Sequence, residues 1–328
     1  MAQIGWGVRF GALGLVGLFA LSAQAGPVDP ARHWPLPPPI LETRLAQDRL
    51  EILEASGGVG GVMGVKKLKI RLGDPGDVLF VKWKKAPRGD ADGWNNTPRK
   101  EIAAYEIQKW FLDPENYVVP TITTRCIPFD VYAPLEERPR ANLTGTHCVM
   151  GALVIWIDNV TVPDTLFDAE RFANDPHYAR HMADFNVLTY LIEHEDGREG
   201  NFLVSEFAEE RRIFSIDNGV AFGARMKNFF VPNWHKIRVP ALRKESVARL
   251  RAVGPEQLTA LGVLAELRAD AAGIMQPMPH GPNTEPGKGA RSQPGWLQLG
   301  LEDDEIEDVA ERLARLLEKI DSGEIDTY

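Results

Sequence analysis

The chain has 328 residues, of which 44% are hydrophobic and 25% charged, so it can form one large folded domain or two modest ones. This composition excludes an intrinsically disordered protein. The net charge of −9 argues against a general nucleic-acid binder, which would carry a basic surface.

The first 25 residues have the features of a secretory signal. Arg9 precedes an apolar run, Phe10 to Ala20, and Ala23-Gln24-Ala25 forms a small-residue cleavage site. The run is too short to span a bilayer, and no later stretch of the sequence approaches membrane length. We expect cleavage after Ala25, no integral membrane span afterwards, and a secreted or periplasmic protein; an uncleaved anchor is the alternative. The proline-rich residues 26–40 predict an extended lead-in without a core of its own.

A glycine-rich bend lies before two predicted strands, Val65 to Leu72 and Val78 to Lys84. Apolar residues alternate with lysine and arginine in the first of them. Because glycine has no Cβ, backbone amides in such a bend can approach phosphate oxygens; a mobile surface loop is the simpler interpretation. The candidate phosphate-binding glycines are Gly58, Gly60 and Gly61. Lys82 and Lys84 share one face of the second strand.

A helix is predicted from Pro98 to about Leu112, with proline in its first turn. Glu101 lies beside apolar residues in this helix, so it can point into a cleft. In a nucleotide-binding lobe such a glutamate holds the strand lysine that contacts the phosphates. A solvated helix face is the ordinary position of a single glutamate, and this alternative remains open.

The two cysteines stand on two apolar, β-branched runs, Tyr117 to Cys126 and Cys148 to Trp156. These runs predict adjacent antiparallel strands joined by a long charged loop, which would bring Cys126 and Cys148 close together. In an exported chain this favours a disulfide, with two buried free thiols as the alternative. Ile157 follows the second run, where a hinge between two lobes would receive an adenine ring.

Residues 164–193 have helical character, and the most informative stretch comes next. His194, Asp196 and Asn201 have the spacing H-x-D-x-x-x-x-N, and Asp217 follows sixteen residues later. Two short apolar runs, at 202–204 and 213–216, predict a β-hairpin with one carboxylate at each end. An acid beside an acceptor hydroxyl, an amide on a metal and a second acid on that metal are the parts needed for phosphoryl transfer from a nucleotide.

The remainder of the chain changes composition twice. Residues 220–251 are basic, and the proline- and glycine-rich residues 271–297 predict a flexible linker. An acidic amphipathic helix is expected within residues 298–328. Its acids, at 302–311, could fold back on the basic stretch and compete with an acidic acceptor, although a helix simply docked on the domain is an equally good interpretation.

These segments together resemble a known group of proteins. The sequences GGVMGVKKLKIRL, VLFVKWKK, KEIAAYEIQKWF, HEDGREGNFLV and SIDNGVAFG are similar in order to the secretory-pathway kinases of the Golgi casein kinase and four-jointed type. The resemblance covers about residues 44–252. It implies an α+β, two-lobed protein kinase-like fold, with a small antiparallel-sheet N-lobe at 41–157 and a larger, mostly helical C-lobe at 158–270. It also implies ATP with Mg²⁺ or Mn²⁺ as cofactors.

The resemblance assigns roles by position. Lys82 matches the phosphate-binding lysine, with Lys84 as a second cation, and Glu101 matches the helix glutamate that pairs with the lysine or supports the metal. Asp196 matches the catalytic aspartate. Asp217 matches the metal-binding aspartate, with Asn201 as a second metal ligand. Arg198 stands where protein kinases place a lysine that steadies the phosphate, whereas the secretory members often carry arginine at the position of Gly197. The cysteine-rich bridging of the animal members is absent, which indicates a simpler, bacterial version.

We therefore expect an exported ATP-dependent kinase that phosphorylates a hydroxyl of an exported protein or glycan. A pseudokinase that acts as a nucleotide-binding interaction module is the main alternative, because kinase folds can lose turnover and keep their shape. A kinase-fold nucleotidyltransferase is the third. The sequence names neither the acceptor nor the oligomeric state.

Overall fold

The structure is a computed structural model that describes residues 32–57, 65–87, 98–197, 199–207, 209, 211–223 and 234–328. The predicted signal sequence lies outside these residues. Helices and mainly antiparallel sheets are mixed in the described part, which confirms an α+β chain. Its α-helices are α1 (Pro38–Gln47), α2 (Pro98–Gln108), α3 (Phe129–Tyr132), α4 (Ala169–Asn174), α5 (Pro176–Leu191), α6 (Lys244–Arg251), α7 (Pro255–Ala260) and α8 (Asp303–Asp321). Its strands are β1 (Leu50–Gly57), β2 (Lys66–Gly73), β3 (Gly76–Lys85), β4 (Ile122–Pro128), β5 (Cys148–Ile155), β6 (Val160–Thr161), β7 (Phe202–Ser205), β8 (Ile213–Ser215), β9 (Ala241–Leu242), β10 (Ala265–Ala269), β11 (Met275–Pro277), β12 (Ala290–Gln293), β13 (Trp296–Leu299) and β14 (Asp326–Thr327).

The N-terminal part is a five-stranded antiparallel sheet in the order β1-β2-β3-β5-β4. The predicted alternation in β2 is confirmed, because Leu68, Ile70 and Leu72 are buried and the basic residues between them are not. Each of these side chains stabilises the fold by about 1.5–3 kcal/mol. One face of the sheet packs on α1 and on Trp34 from the lead-in, so that segment contributes to a core that its composition did not predict. Helix α2 covers part of the other face.

The predicted disulfide is confirmed. β4 and β5 are adjacent and antiparallel, and their pairing places the Cα atoms of Cys126 and Cys148 5.4 Å apart, within the range that a disulfide spans. Both cysteines are buried.

Helices α4 and α5 occupy the stretch predicted to be helical. The break between them falls at Asp175, which accepts hydrogen bonds from the backbone N–H groups of His177 and Tyr178 and so caps α5. Beyond α5, strands β6, β7 and β8 form a small sheet. β7 and β8 pair antiparallel, which confirms the predicted hairpin.

The prediction of a flexible linker at residues 271–297 is wrong. These residues contribute β11, β12 and the start of β13 to a four-stranded sheet with β10, so the predicted domain boundary at 270/271 also falls inside that sheet. The physical reason is tertiary: Met275 and Leu297 are buried in one cluster with the disulfide of the N-terminal sheet. The prolines and glycines of the turns between these short strands dominate the local composition, so the composition does not reveal the strands.

The predicted C-terminal helix is α8. Val309, Leu313 and Leu316 form its buried stripe, and the helix packs on α5, α6 and α7. β14 then pairs in parallel with β9. No helix in the described part of the chain is long and apolar enough to cross a membrane.

Candidate active site

A cleft of about 680 Å³ lies between the N-terminal sheet and the β7–β8 hairpin. Its size is within the range of small-molecule sites, about 300–1,000 Å³. Apolar side chains form much of its wall, from Val65, Val119, Ile122, Val154, Ile157, Leu203 and Ile216. Polar side chains from both sides also reach it, among them Lys67, Lys82, Glu101, Asn201 and Asp217.

A cluster of charges joins three separate elements at this cleft. Lys84 of β3 donates hydrogen bonds to the carboxylates of Glu101 on α2 and of Asp217 beyond β8. The side chains of Lys84 and Glu101 are only 2% and 5% exposed, respectively. Burial alone would lower the pKa of Lys84, but the two carboxylates outweigh it and hold that pKa above its ordinary value. Lys84 therefore stays charged and bridges the helix and the hairpin.

Asp217 presents its carboxylate to the cleft. Its backbone has left-handed dihedral angles, φ 61° and ψ 49°, which are uncommon for a residue with a Cβ and concentrate at functional positions. Desolvation by the cleft walls would raise the pKa of Asp217, but Lys84 and Lys82 together hold that pKa well below its ordinary value. Asp217 is thus an anion over the whole physiological pH range.

The structure divides the roles of the two β3 lysines differently from the sequence prediction. Glu101 pairs with Lys84, whereas Lys82 had been matched to the lysine of that pair. Lys82 lies on the same face of β3, with its Nζ atom 3.6 Å from Asp217 Oδ2 and its side chain 21% exposed. Burial and the like charge of Lys84 lower the pKa of Lys82. Lys84 therefore has the paired inner position, and Lys82 lines the cleft.

The loop of the H-x-D motif lies next to Asp217. The Asn201 side chain donates a hydrogen bond to the backbone carbonyl of Asp196, 2.9 Å, and the Asn201 carbonyl accepts one from Ile216 N–H, 2.9 Å. The hairpin thereby brings Asn201 and Asp217 to the same cleft, whereas the side chain of Asp196 is buried. His194 is buried against the Phe202 ring, and burial lowers the pKa of His194 to about 4.

The other predicted residues are placed as follows. Ile157 lines the cleft just after β5, and its predicted role at a hinge stays a prediction. The backbone N–H of the next residue, Asp158, donates a hydrogen bond of 2.9 Å to the backbone carbonyl of His33. This hydrogen bond connects the lead-in to the segment after β5. The glycines at 58, 60 and 61 and Arg198 lie outside the described residues, and their predicted roles stay predictions.

Sequence reasoning missed Lys67 and Trp156. Lys67 pairs with Lys82 across β2 and β3, and its Nζ lies 3.7 Å from the centroid of the Trp156 ring. Both Lys67 and Trp156 line the cleft. The alternation of β2 placed Lys67 on one face, but only the strand register shows that this face is the one that carries Lys82.

Within the described part of the chain, two groups of side chains could hold a divalent cation. Asp217 and Asn201 offer oxygen atoms at the cleft, the donor type that Mg²⁺ and Mn²⁺ prefer. A second set, Glu193, Glu195 and His235, has ligand atoms within 4.8 Å of one another. Asp217 and Asn201 line the cleft, whereas Glu193, Glu195 and His235 are not among its lining residues, so the first group is the better candidate.

Comparison with models of known protein families and with curated proteins gives no match for this sequence. Function therefore has to be argued from the site. The cleft combines an apolar wall, two lysines and a carboxylate beside an amide, which suits a ligand with a flat apolar part and a metal-bound polyanionic part.

Proposed function

We propose that this chain is an exported kinase that transfers the γ-phosphoryl group of ATP to a hydroxyl of a protein or glycan acceptor. The observation that carries the proposal is the buried Lys84–Glu101–Asp217 cluster, with Lys82 beside it, at a cleft of about 680 Å³. Asp217 lies 133 residues beyond Lys84 in the chain, whereas Glu101 lies on the element that follows β3. Buried charges are expensive to desolvate, and such clusters concentrate at functional sites.

The order of elements supports the same proposal. A five-stranded antiparallel sheet, with α1 on one face and α2 on the other, is followed by helices and by a hairpin that carries the second carboxylate. This is the order expected for a two-lobed protein kinase-like fold of the secretory-pathway type, in which the segment after β5 is the hinge. Export is supported by the disulfide and by the sequence of the first 25 residues.

Each residue has a definite chemical task in this proposal. Asp217 and Asn201 would hold Mg²⁺ or Mn²⁺, which neutralises phosphate charge when bound. Lys82 and Lys84 would stabilise the negative charge that spreads over the transferring phosphoryl oxygens. Asp196 would orient the acceptor hydroxyl and accept its proton once acceptor binding exposes its carboxylate, which is buried beside the cleft in this structure.

The apolar wall suits an adenine ring. Ile122, Val154 and Ile157 come from the sheet side, and Leu203 and Ile216 come from the hairpin side. A flat ring placed between these side chains would lose its hydration on both faces, with the polyphosphate directed towards Lys82.

The test uses the purified mature protein with Mn²⁺ or Mg²⁺ and ATP labelled at either the γ or the α phosphate. A serine- and threonine-containing peptide library and a panel of oligosaccharides serve as acceptors. Transfer of γ label supports the kinase, transfer of α label indicates nucleotidyl transfer, and binding without transfer indicates an interaction module. Asp217→Asn should reduce γ transfer by about 10²–10³-fold, whereas the exposed Asp164→Asn should not change it.

A further inference from the structure

Three consecutive charged residues in the first turn of α2 are buried. Glu101 belongs to the cluster at the cleft, and the other two contact the start of α8. Arg99 Nη2 lies 3.1 Å from Glu302 Oε1 and 3.2 Å from Glu305 Oε1. Lys100 Nζ lies 3.1 Å from Glu305 Oε1. One carboxylate, that of Glu305, therefore reaches both cations that flank Glu101 on its N-terminal side.

Lys100 also reaches the segment that follows Asp217. Its Nζ donates a hydrogen bond to the backbone carbonyl of Ala221, 2.9 Å. Lys100 adjoins Glu101 in sequence, and Ala221 lies four residues after Asp217. The same cation thus connects the helix that carries Glu101 with the loop that carries Asp217, and Glu305 neutralises it.

Glu305 is itself held rigidly. Its Oε2 atom accepts a hydrogen bond from the Glu302 backbone N–H, 3.0 Å, which closes the start of α8. The helix is anchored by its buried stripe, which includes Val309 and Leu313.

Glu305 is the carboxylate that Arg99 and Lys100 share, and a buried cation that loses its carboxylate must find another partner or become solvated. Loss of this carboxylate should therefore loosen the first turn of α2, although Arg99 keeps Glu302 and Lys100 keeps the Ala221 carbonyl.

We propose that Glu305 is a positioning residue, which fixes the first turn of α2 through Arg99 and Lys100 so that Glu101 stays on Lys84. The effect of Glu305 on the rate of transfer rests on the proposed kinase function, whereas its effect on the position of α2 does not. The fold-back considered for the acids at 302–311 would inhibit transfer. The contact of Glu305 has the opposite effect, because it stabilises the arrangement needed for transfer.

The test compares Glu305→Gln with Glu311→Gln in the full mature chain. Glu311 is an exposed acid on the same helix, and among the described residues its charged partner is Arg315, at 3.5 Å. Hydrogen exchange of the α2 peptides should quicken at least about 10-fold in Glu305→Gln, with β5 peptides unchanged. We expect kcat to fall about 10- to 100-fold at saturating ATP and acceptor, because small displacements of a catalytic group have effects of this size.

A second variant disturbs the contact between α2 and α8 at Arg99 instead of at Glu305. A methyl group at Gly289 would collide with the Arg99 guanidinium, so Gly289→Ala should displace Arg99 without removing a charge and reproduce the exchange in α2. Wild-type exchange in α2 for both Glu305→Gln and Gly289→Ala, at unchanged melting temperature, would overturn the proposal. Faster α2 exchange in a protein whose wild type transfers no label would keep the positioning role and reject the kinase.

Discussion

The five-stranded sheet is held at two places by different forces. Where β3 meets α2, the contact consists of the buried charges of Lys84 and Glu101. Where β4 and β5 meet the C-terminal sheet, the contact consists of apolar side chains packed around the Cys126–Cys148 disulfide, which joins β4 to β5. Apolar burial stabilises without directional demands, whereas buried ions gain little net stability and require definite geometry. The charged contact is therefore the one expected to serve the site, and the apolar contact the one expected to serve the fold.

The largest effect on stability should come from breaking the charged contact on one side only. Lys84→Met leaves the buried Glu101 carboxylate without its ammonium and should lower the free energy of unfolding by about 3–5 kcal/mol, measured by urea denaturation. The neighbouring Lys85 pairs with Glu136 at a partly exposed position, so Lys85→Met should cost less than about 1 kcal/mol. Equal losses in the two variants would contradict the assignment of Lys84 to the inner position.

Removing the covalent link should affect the fold and spare the site. Replacing Cys126 and Cys148 by alanine should lower the free energy of unfolding by about 2–4 kcal/mol, because the unfolded chain regains the freedom of the closed loop. Label transfer per folded molecule should stay within about two-fold of wild type, measured at a temperature where both proteins are folded. A loss of transfer as large as that of Asp217→Asn would show that the two contacts are not separable.

Acid should weaken the fold through two buried histidines, His33 next to the segment after β5 and His194 in the motif loop. Burial lowers the pKa values of His33 and His194 to about 4. Below pH 6.5 the unfolded chain binds protons that the folded chain does not, so this stability is present above pH 6.5 and is lost as the pH falls towards 4. For His194 the loss should approach about 3 kcal/mol across that window. Urea denaturation at several pH values measures it.

The matched control for acid is the exposed His280. His194→Gln should reduce the pH dependence of the free energy of unfolding between 6.5 and 4 by the share of His194, while the share of His33 remains, and His280→Gln should leave it as in wild type. The same slope in His194→Gln and wild type would mean that His194 does not stay neutral in the folded protein.

The smallest effect should come from Lys82, which lines the cleft outside the inner pair. Lys82→Ala should change the free energy of unfolding by less than about 0.5 kcal/mol and weaken binding of Mn²⁺–ATP about 10-fold, measured by calorimetry. Lys66 points to the opposite face of the sheet, so Lys66→Ala should bind as wild type. A Lys82→Ala protein with wild-type affinity would show that Lys82 is not part of the proposed phosphate site.

Local patterns were sufficient for several elements. Alternation in β2, the two apolar runs of the β7–β8 hairpin and the stripe of α8 each report burial on one face, and each element is present. The disulfide followed from two predicted adjacent strands together with the expectation that the chain is exported. In all these cases the partner lies nearby in sequence, or the pattern repeats with the period of the element.

The sequence by itself determined which residue types are available: the lysines of β3, a helix glutamate and an acid at each end of the hairpin. Only the tertiary structure decided that Lys84 rather than Lys82 meets Glu101, that residues 271–297 join a sheet, and that Glu305 reaches Arg99 and Lys100. The reason is that strand register and packing between distant segments depend on the whole chain, and two lysines on one strand face have the same local pattern.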